Sequence, residues 1–514
     1  MLACATTFAL IGVEAVEVTV EVDIHPGLPA FTIVGLPDAA VQESRERVRT
    51  ALVNSGFEFP LRRITVNLAP ADLRKAGPGF DLALAAALLV ASAQAPVDRL
   101  GEYALIGELG LDGAVRPVRG ALAVSDSSRR AGYGGLVLPR ANAQEGALVA
   151  GLDVVGVETV EQLAGFLGGS WRPEPVSVDA AALLAQPADA GSDFAEVRGH
   201  HGLKRAVEVA AAGGHSLLMI GPPGSGKSMV ARRMPTVLPP LSVQEALEAT
   251  RVHSVAGVLG GEPLVRRRPF RAPHHSISSA GLVGGGSSPT PGEASLAHHG
   301  VLFLDELAEF SRPALEALRQ PLEQGRILIT RQQRSVWFPA RFAVVAAMNP
   351  CPCGHADDRR RECVCPPGAT HRYLSKLSGP LLDRIDIVLR VDPPAREELS
   401  GEAGTGSREI RERVVAARAR QERRLAGSRA ASNAEMSAAQ VRRVCGLDAA
   451  ASEVLYRAYD AVGLSARGHD RVLAVARTLA DLDQRDRIDR RDVAQAVAYR
   501  QLHPTEAFAD AAAR

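Results

Sequence analysis

The stretch SLLMIGPPGSGKSMVA (216–231) sets a short apolar run, a glycine-rich loop and a helix start in immediate succession. Gly221, Pro222, Pro223, Gly224, Ser225, Gly226, Lys227 and Ser228 spell G-x-x-x-x-G-K-S, a phosphate-binding loop in the strand-then-helix context that gives the pattern its chemistry. Backbone N–H groups of Gly224, Ser225, Gly226 and Lys227 can wrap a β-phosphate, because glycine allows close approach and unusual dihedrals. Lys227 supplies a point charge for the β- and γ-phosphates, and the Ser228 hydroxyl can ligate Mg²⁺. Composition singles this lysine out. Only four of the 59 basic residues are lysines (Lys75, Lys204, Lys227 and Lys376), so arginine is used almost wherever either would serve. The stretch predicts binding of ATP with Mg²⁺.

Working outward, VLFLDE (301–306) is an almost wholly apolar strand ending in two carboxylates, as expected of a buried parallel strand that delivers acids to its C-terminal edge. Downstream of a phosphate loop, Asp305 is expected to hold Mg²⁺ and Glu306 to polarise the attacking water. A third strand, FAVVAAMNP (342–350), ends in Asn349, an amide placed to sense or orient the γ-phosphate and water. SGPLLDRIDI (378–387) carries Arg384 between two acids. That arrangement suits either a surface salt bridge or an arginine finger inserted into a neighbouring subunit's ATP site. LSARGHDR (464–471) puts Arg467 at a helix start, where it is expected to reach the γ-phosphate of its own subunit; Arg471, one turn later, is the alternative.

The whole chain bounds these readings. Its 514 residues should hold two to four domains. The net charge of +1 gives no global field toward nucleic acid or an anionic membrane, so DNA contact would come from local clusters or an assembled ring's lining. The first twelve residues, MLACATTFALIG, lack a basic region and lead straight into strand pattern, so no signal peptide is expected. No run of eighteen apolar residues occurs, so no membrane span is expected. Six cysteines do not make a disulfide scaffold in a chain this long. The expectation is a soluble cytoplasmic protein.

Residues 15–24 alternate strictly between apolar and polar, a half-buried strand. Segments 31–36 and 64–70 read as strands, 38–56 as an amphipathic helix and 80–93 as a buried helix, making residues 1–168 a compact α+β domain. Residues 169–192 become Pro/Ala/Asp-rich, the composition of a linker. Strand–helix alternation over 193–396 indicates a parallel α/β core. A linker and an Arg/Glu-rich helix, read as a solvated charged face, occupy 397–435, and 436–514 reads as an all-helical lid.

The order of loop, DE strand, Asn strand, finger arginine and lid arginine is that of the AAA+ ATPases. IVGLPDAAVQESRERVR (33–49), NLAPADLRKAGPGFDLALA (67–85), PFRAPHHSISSAGLVGGG (269–286), LFLDELAEF (302–310) and RYLSKLSGPLLDRIDI (372–387) narrow the resemblance to the magnesium-chelatase-like YifB/ComM family. It covers nearly the whole chain. The resemblance implies a ribosomal S5 domain 2-like fold for residues 1–168, shared with the Lon protease domain. Lon-type proteases carry a nucleophilic serine in a K-x-G-P-S-A-like segment; here Lys75-Ala76-Gly77-Pro78-Gly79-Phe80 has glycine in its place, so proteolysis is not expected. His200 stands where the related adenine-side motif usually has glutamine. ComM-type members resemble hexameric helicases that drive branch migration of DNA junctions. The resemblance therefore implies a homo-oligomeric, hexameric ring, branched or single-stranded DNA as partner, and recombination proteins around it. A chelatase-type or protein-remodelling ATPase is the alternative.

Cys351, Cys353, Cys363 and Cys365 form a C-x-C, nine residues, C-x-C pattern. Four thiols so close together suit structural zinc, although C-x-C is tighter than the common C-x₂-C knuckle; free thiols on a surface insert are the other reading. RAPHHS (271–276) and TRQQR (330–334) are polar loops beside the core, either pore elements for DNA or ordinary solvated hairpins. His274 and His275 are adjacent and so make a poor metal pair.

Overall fold

In a computed structural model of the chain, the strict alternation of residues 15–24 becomes the Glu14–His25 strand. It buries Val18, Val20, Val22 and Ile24 on one face, while Val16, at the strand's start, stays 38% exposed. The structure describes residues 2–500 apart from 187–190, 287–288, 332–333, 357–360, 395–397, 399–403, 429 and 463. The amino-terminal sheet has seven strands in the order Ala30–Val34, Arg63–Ala69, Glu14–His25, Leu2–Ile11, Tyr103–Leu105, Gly135–Pro139 and Asp153–Val157. Leu2–Ile11 and Glu14–His25 pair antiparallel, whereas the last three strands run parallel, which makes the sheet mixed. The Asp81–Ala91 helix is buried along its full length against this sheet. Its first residue, Asp81, is fully buried and accepts from Arg47 at 2.8 and 3.1 Å, which supplies the countercharge that burial demands.

The central sheet is built of five parallel strands in the order Phe270–Arg271, Gly300–Leu304, Phe342–Met348, Leu217–Ile220 and Ile387–Arg390. Alternate residues go to opposite faces. Leu217, Met219, Val301, Phe303, Val345 and Ala347 pack toward the His201–Gly213 helix and the C-terminal helices. Leu218, Ile220, Leu302, Leu304, Ala346 and Met348 pack toward the opposite layer. Both faces are covered, which is why these strands read as unbroken apolar runs.

The C-terminal part contains the helices Ser407–Leu425, Ala438–Val444, Ala449–Val462, Ala466–Leu482 and Arg490–Ala498. Ser407–Leu425 is not solvated all round. Ile410, Val414, Ala417, Gln421 and Leu425 form a buried stripe at helical spacing, set against His201–Gly213 and Ala466–Leu482.

The stretch 169–192, read as a linker, contains a short helix, Ala180–Ala185, capped by Asp179, whose carboxylate accepts from the N–H groups of Ala181 and Ala182. Leu183 and Leu184 pack on Leu241 and Leu264 of the following domain. The amino-terminal domain touches that domain directly. Gly120 N–H donates to Ser254 Oγ at 2.9 Å, Ser254 donates to the buried Glu145, and Arg251 pairs with Asp126 at 2.7 Å. At Gly12 a Cβ would lie 2.4 Å from Val336 of the hairpin formed by Arg326–Arg331 and Arg334–Pro339, so the turn and the hairpin meet with no room for a side chain.

Candidate nucleotide site

Leu217–Ile220 ends in the loop, and the Lys227–Arg233 helix follows it. Gly224 and Gly226 sit at φ +78° and +79°, the left-handed region that favours glycine. At Gly221 a Cβ would lie 2.1 Å from the Val391 carbonyl oxygen, so only glycine lets the loop leave the strand there. Lys227 is 8% exposed. Its ammonium donates to the carbonyls of Gly221 and Pro222 at 2.6 and 2.9 Å, to Ser225 Oγ at 3.3 Å and to Asn349 Oδ1 at 3.4 Å. These acceptors are all neutral. Burial pushes the amine down to about 8, opposed by the Asp305 carboxylate. A buried cation held by neutral oxygens inside a positive-φ cradle fits a polyphosphate ligand. The Ser228 hydroxyl lies half-buried in the first helical turn.

The other two strands deliver their residues to the same edge. Gly300–Leu304 is fully buried, and Asp305 follows it half-buried, accepting from Glu306 N–H at 3.1 Å. Glu306 is exposed and adopts φ +53°, uncommon for a residue with a side chain. Its carboxylate meets His275 Nδ1 at 3.1 Å. Phe270–Arg271 runs parallel to Gly300–Leu304, which carries the RAPHHS loop to this edge. The His275 ring lies against His274, tilted by 35° with centroids 4.1 Å apart, and meets Phe310 in a T-shaped contact. From sequence this histidine pair reads as part of a pore element or an ordinary solvated hairpin, or as a poor metal pair, because nothing local announces a partner 31 positions away. Phe342–Met348 ends beside Lys227 and supplies Asn349. His200, at φ +54°, also abuts the loop: its Nε2 lies 3.2 Å from where a Cβ on Gly226 would stand. Burial pushes its imidazole down, opposed by Glu398.

The arginines form a separate group. Arg384 is 6% exposed and donates to Glu323 and to the Pro380 carbonyl. Arg467, at 70% side-chain exposure, lies 3.7 Å from the same Glu323. Arg471 donates to Asp386 and, at 3.0 Å, to the Arg384 carbonyl. Asp386 also accepts from Ser216 N–H at 3.1 Å and faces His215, whose Nε2 meets Thr478 Oγ1 at 2.8 Å. Burial favours the neutral Asp386 acid, yet Arg471 and His215 hold its carboxyl well below the usual carboxylate range. Ser216 and Asp386 precede their strands, whereas the phosphate loop follows its own. The arginine group therefore lies at the opposite edge of the sheet, one four-residue strand away, about 13 Å. Arg467 stands with Arg384 there, not beside Lys227, and Arg471 is engaged with Asp386.

The four cysteines converge. Cys351 Sγ lies 3.3 Å from Cys353 Sγ and 3.7 Å from Cys363 Sγ, and Cys353 lies 3.5 Å from Cys363. With Cys365 their sulfurs all fall within 4.8 Å of one another. In TRQQR, residues 332 and 333 lie outside the described residues; its Thr330 hydroxyl meets Ser335 Oγ at 3.0 Å. Among the described residues, no helix is long and apolar enough to cross a membrane.

Three family models match. Residues 193–399 match "Magnesium chelatase, subunit ChlI", 20–142 match "Subunit ChlI of Mg-chelatase", and 404–500 match "Magnesium chelatase, subunit ChlI C-terminal". The chain is 44% identical over 501 residues to YifB of Escherichia coli (strain K12), covering 96% of each chain. It is 41% identical over 507 residues to the competence protein ComM of Haemophilus influenzae, covering 98% of each. A partial likeness, 31% identical over 130 residues, spanning 24% of this chain and 16% of the relative, links it to Lon protease 2 of Thermus thermophilus. With a Lon-like amino-terminal domain ahead of a parallel phosphate-loop core, the chain belongs to the magnesium-chelatase-like YifB/ComM family of AAA+ ATPases.

Proposed function

We propose that this protein hydrolyses ATP, with Mg²⁺, at the interfaces of a homo-oligomeric, hexameric ring and moves DNA, with branch migration of recombination junctions as its task. The observation that carries the hydrolytic reading is the meeting of Lys227, Asn349, Asp305 and Glu306 at one sheet edge. In this reading residues 1–168, 193–396 and 436–514 are the Lon-like, ATPase and lid domains, joined by 169–192 and 397–435. The loop residues Gly221 to Ser228 hold the phosphates, and Ser228 and Asp305 offer oxygens to Mg²⁺, which neutralises phosphate charge when bound. Glu306 takes the water proton, once its carboxylate leaves His275. Asn349 orients water and phosphate from its place beside Lys227. Arg384 and Arg467 pair with Glu323 of their own chain, and it is their place at the edge away from their own Lys227 that favours their serving a neighbouring subunit's ATP, in trans. For Arg467 this replaces the own-subunit role expected from sequence.

DNA as the partner, branched or single-stranded, rests on the family resemblance and on the likeness to a relative called a competence protein. Recombination proteins as partners and a cytoplasmic setting belong to the same reading, as does zinc in the cysteine cluster. Purified protein incubated with ATP and a labelled four-way junction should separate it into duplex arms, and DNA should stimulate turnover. The matching models are described as magnesium chelatase subunits, which favours a chelatase-type or remodelling ATPase as the second reading. Robust turnover indifferent to every DNA structure would support that second reading and overturn the first.

A further inference from the structure

The cysteine cluster is built onto the nucleotide site. A tetrahedral ion with Zn–S bonds of about 2.3 Å sets its sulfurs about 3.8 Å apart, and three of the distances here run from 3.3 to 3.7 Å. A disulfide needs sulfurs about 2.05 Å apart. An iron–sulfur cluster interposes its own sulfides and spreads the thiolates further than one ion does. Two amides already point at sulfur, Ala356 N–H at Cys351 (3.2 Å) and Cys353 N–H at Cys365 (3.4 Å), the outer hydrogen bonds that orient thiolate ligands.

Cys351, fully buried, lies two residues beyond Asn349. Between the cysteine pairs Gly354 turns at φ +83° and presses on the phosphate loop. A Cβ there would lie 2.6 Å from Pro223 Cδ and 3.8 Å from Asn349 Cγ. On its other side, the Asn349 backbone N–H donates to the hydroxyl oxygen of Tyr373, which is 7% exposed. The turn from Asn349 to Gly354 is thus held between the cluster and the loop.

We propose that Cys351, Cys353, Cys363 and Cys365 hold one zinc ion, and that this ion fixes the Asn349–Gly354 turn against Pro223, keeping Asn349 beside Lys227. The inference rests on the zinc and Asn349 roles proposed above, and it makes the cysteines positioning residues for turnover.

The full chain, purified reduced and without chelator, should carry about one zinc per chain. No metal, or stoichiometric iron, overturns the zinc site itself. Cys363→Ser/Cys365→Ser should lose the zinc and about tenfold in turnover, with the affinity for a fluorescent ADP analogue unchanged. Zinc loss without a fall in turnover overturns the coupling while the site stands. Gly354→Ala keeps all four ligands, so it should retain zinc and still lose turnover; full activity there overturns Pro223 as the route. In an Asn349→Ala background, zinc loss should cost no further turnover, and a full additional loss overturns Asn349 as the element positioned. Reversible removal of zinc from wild-type protein, with recovery on re-adding it, separates positioning from misfolding; failure to recover while the protein stays folded overturns the proposal. Absence of any wild-type turnover would overturn the ATPase reading, and zinc content reads out independently of it.

Discussion

Lys227 should give nucleotide binding a pH dependence that follows from its burial. Without nucleotide its amine is depressed to about 8 from an ordinary 10.5, because neutral oxygens surround it. A bound polyphosphate favours the ammonium and lifts the value again. Binding must therefore take up a proton above pH about 8, and affinity should fall close to tenfold per pH unit in that window. From pH 7 to pH 9 the loss should be about tenfold. The nucleotide's phosphates ionise near pH 6 and are not the source. The stability of the nucleotide-free chain should move the other way. A lysine depressed in the folded state binds fewer protons than in the unfolded chain, so stability rises with pH between about 8 and 10.5, by about 1 kcal/mol from pH 8 to pH 9. Fluorescent ADP titrations and urea melts across that range measure both slopes. Lys227→Arg carries a guanidinium that stays charged and should flatten the binding slope. The comparison of wild type with Lys227→Met isolates the stability term from the thiols that titrate nearby. Affinity in the wild type that is flat from pH 7 to pH 9 would refute the reasoning.

Glu306→Gln should bind nucleotide and assemble yet lose at least about a hundredfold in turnover, measured by phosphate release; near-normal turnover would remove Glu306 as the base. Arg384→Ala should bind ATP almost normally and hydrolyse it poorly. Mixed with Glu306→Gln, with subunit exchange verified by an independent label, it should regain turnover above either variant alone; exchange without recovery would count against action in trans. Asp386→Ala strands Arg471 and His215 beside the sheet and should cost about 3–5 kcal/mol in denaturant unfolding. Because the native carboxyl titrates below its ordinary 3.8, that difference should persist at neutral pH and shrink as pH falls below about 4; a loss under 1 kcal/mol at pH 7 would show the junction to be dispensable.

The parts of the site legible in the sequence are those whose chemistry lies next to a local pattern. The loop from Gly221 to Ser228, the acids after Gly300–Leu304 and the amide after Phe342–Met348 each end an apolar strand, and parallel strands in one sheet bring such ends together. Residues paired across long separations were illegible. Glu323 precedes its partner Arg384 by 61 positions and carries no motif. His275 sits in a loop whose polarity has an ordinary explanation. Arg467 was placed correctly at a helix start, capped by Ser465, but a helix start does not say which edge of a sheet it faces. The buried stripe of Ser407–Leu425 includes Ala417 and Gln421, a small and a polar residue that hide the amphipathic period. Gln421 is tolerated inside because it donates to the Ala212 carbonyl and accepts from Asn433 N–H.

The junction of His215, Asp386, Arg471 and Thr478 bears on how such a machine would transmit force. Two of these residues belong to the central sheet's edge and two to the Ala466–Leu482 helix. Around them Val472, Leu473, Ala476 and Leu479 share one apolar core with Leu217 and Met219. Swinging the helical part about a hinge would have to pull Arg471 off the buried Asp386 carboxylate and split that core at the same stroke. The two pieces are welded. In the ring proposed above, a stroke driven by nucleotide would then have its moving joint at the seam between one copy and the next, with each core-and-lid unit travelling as a solid link in a chain of such links.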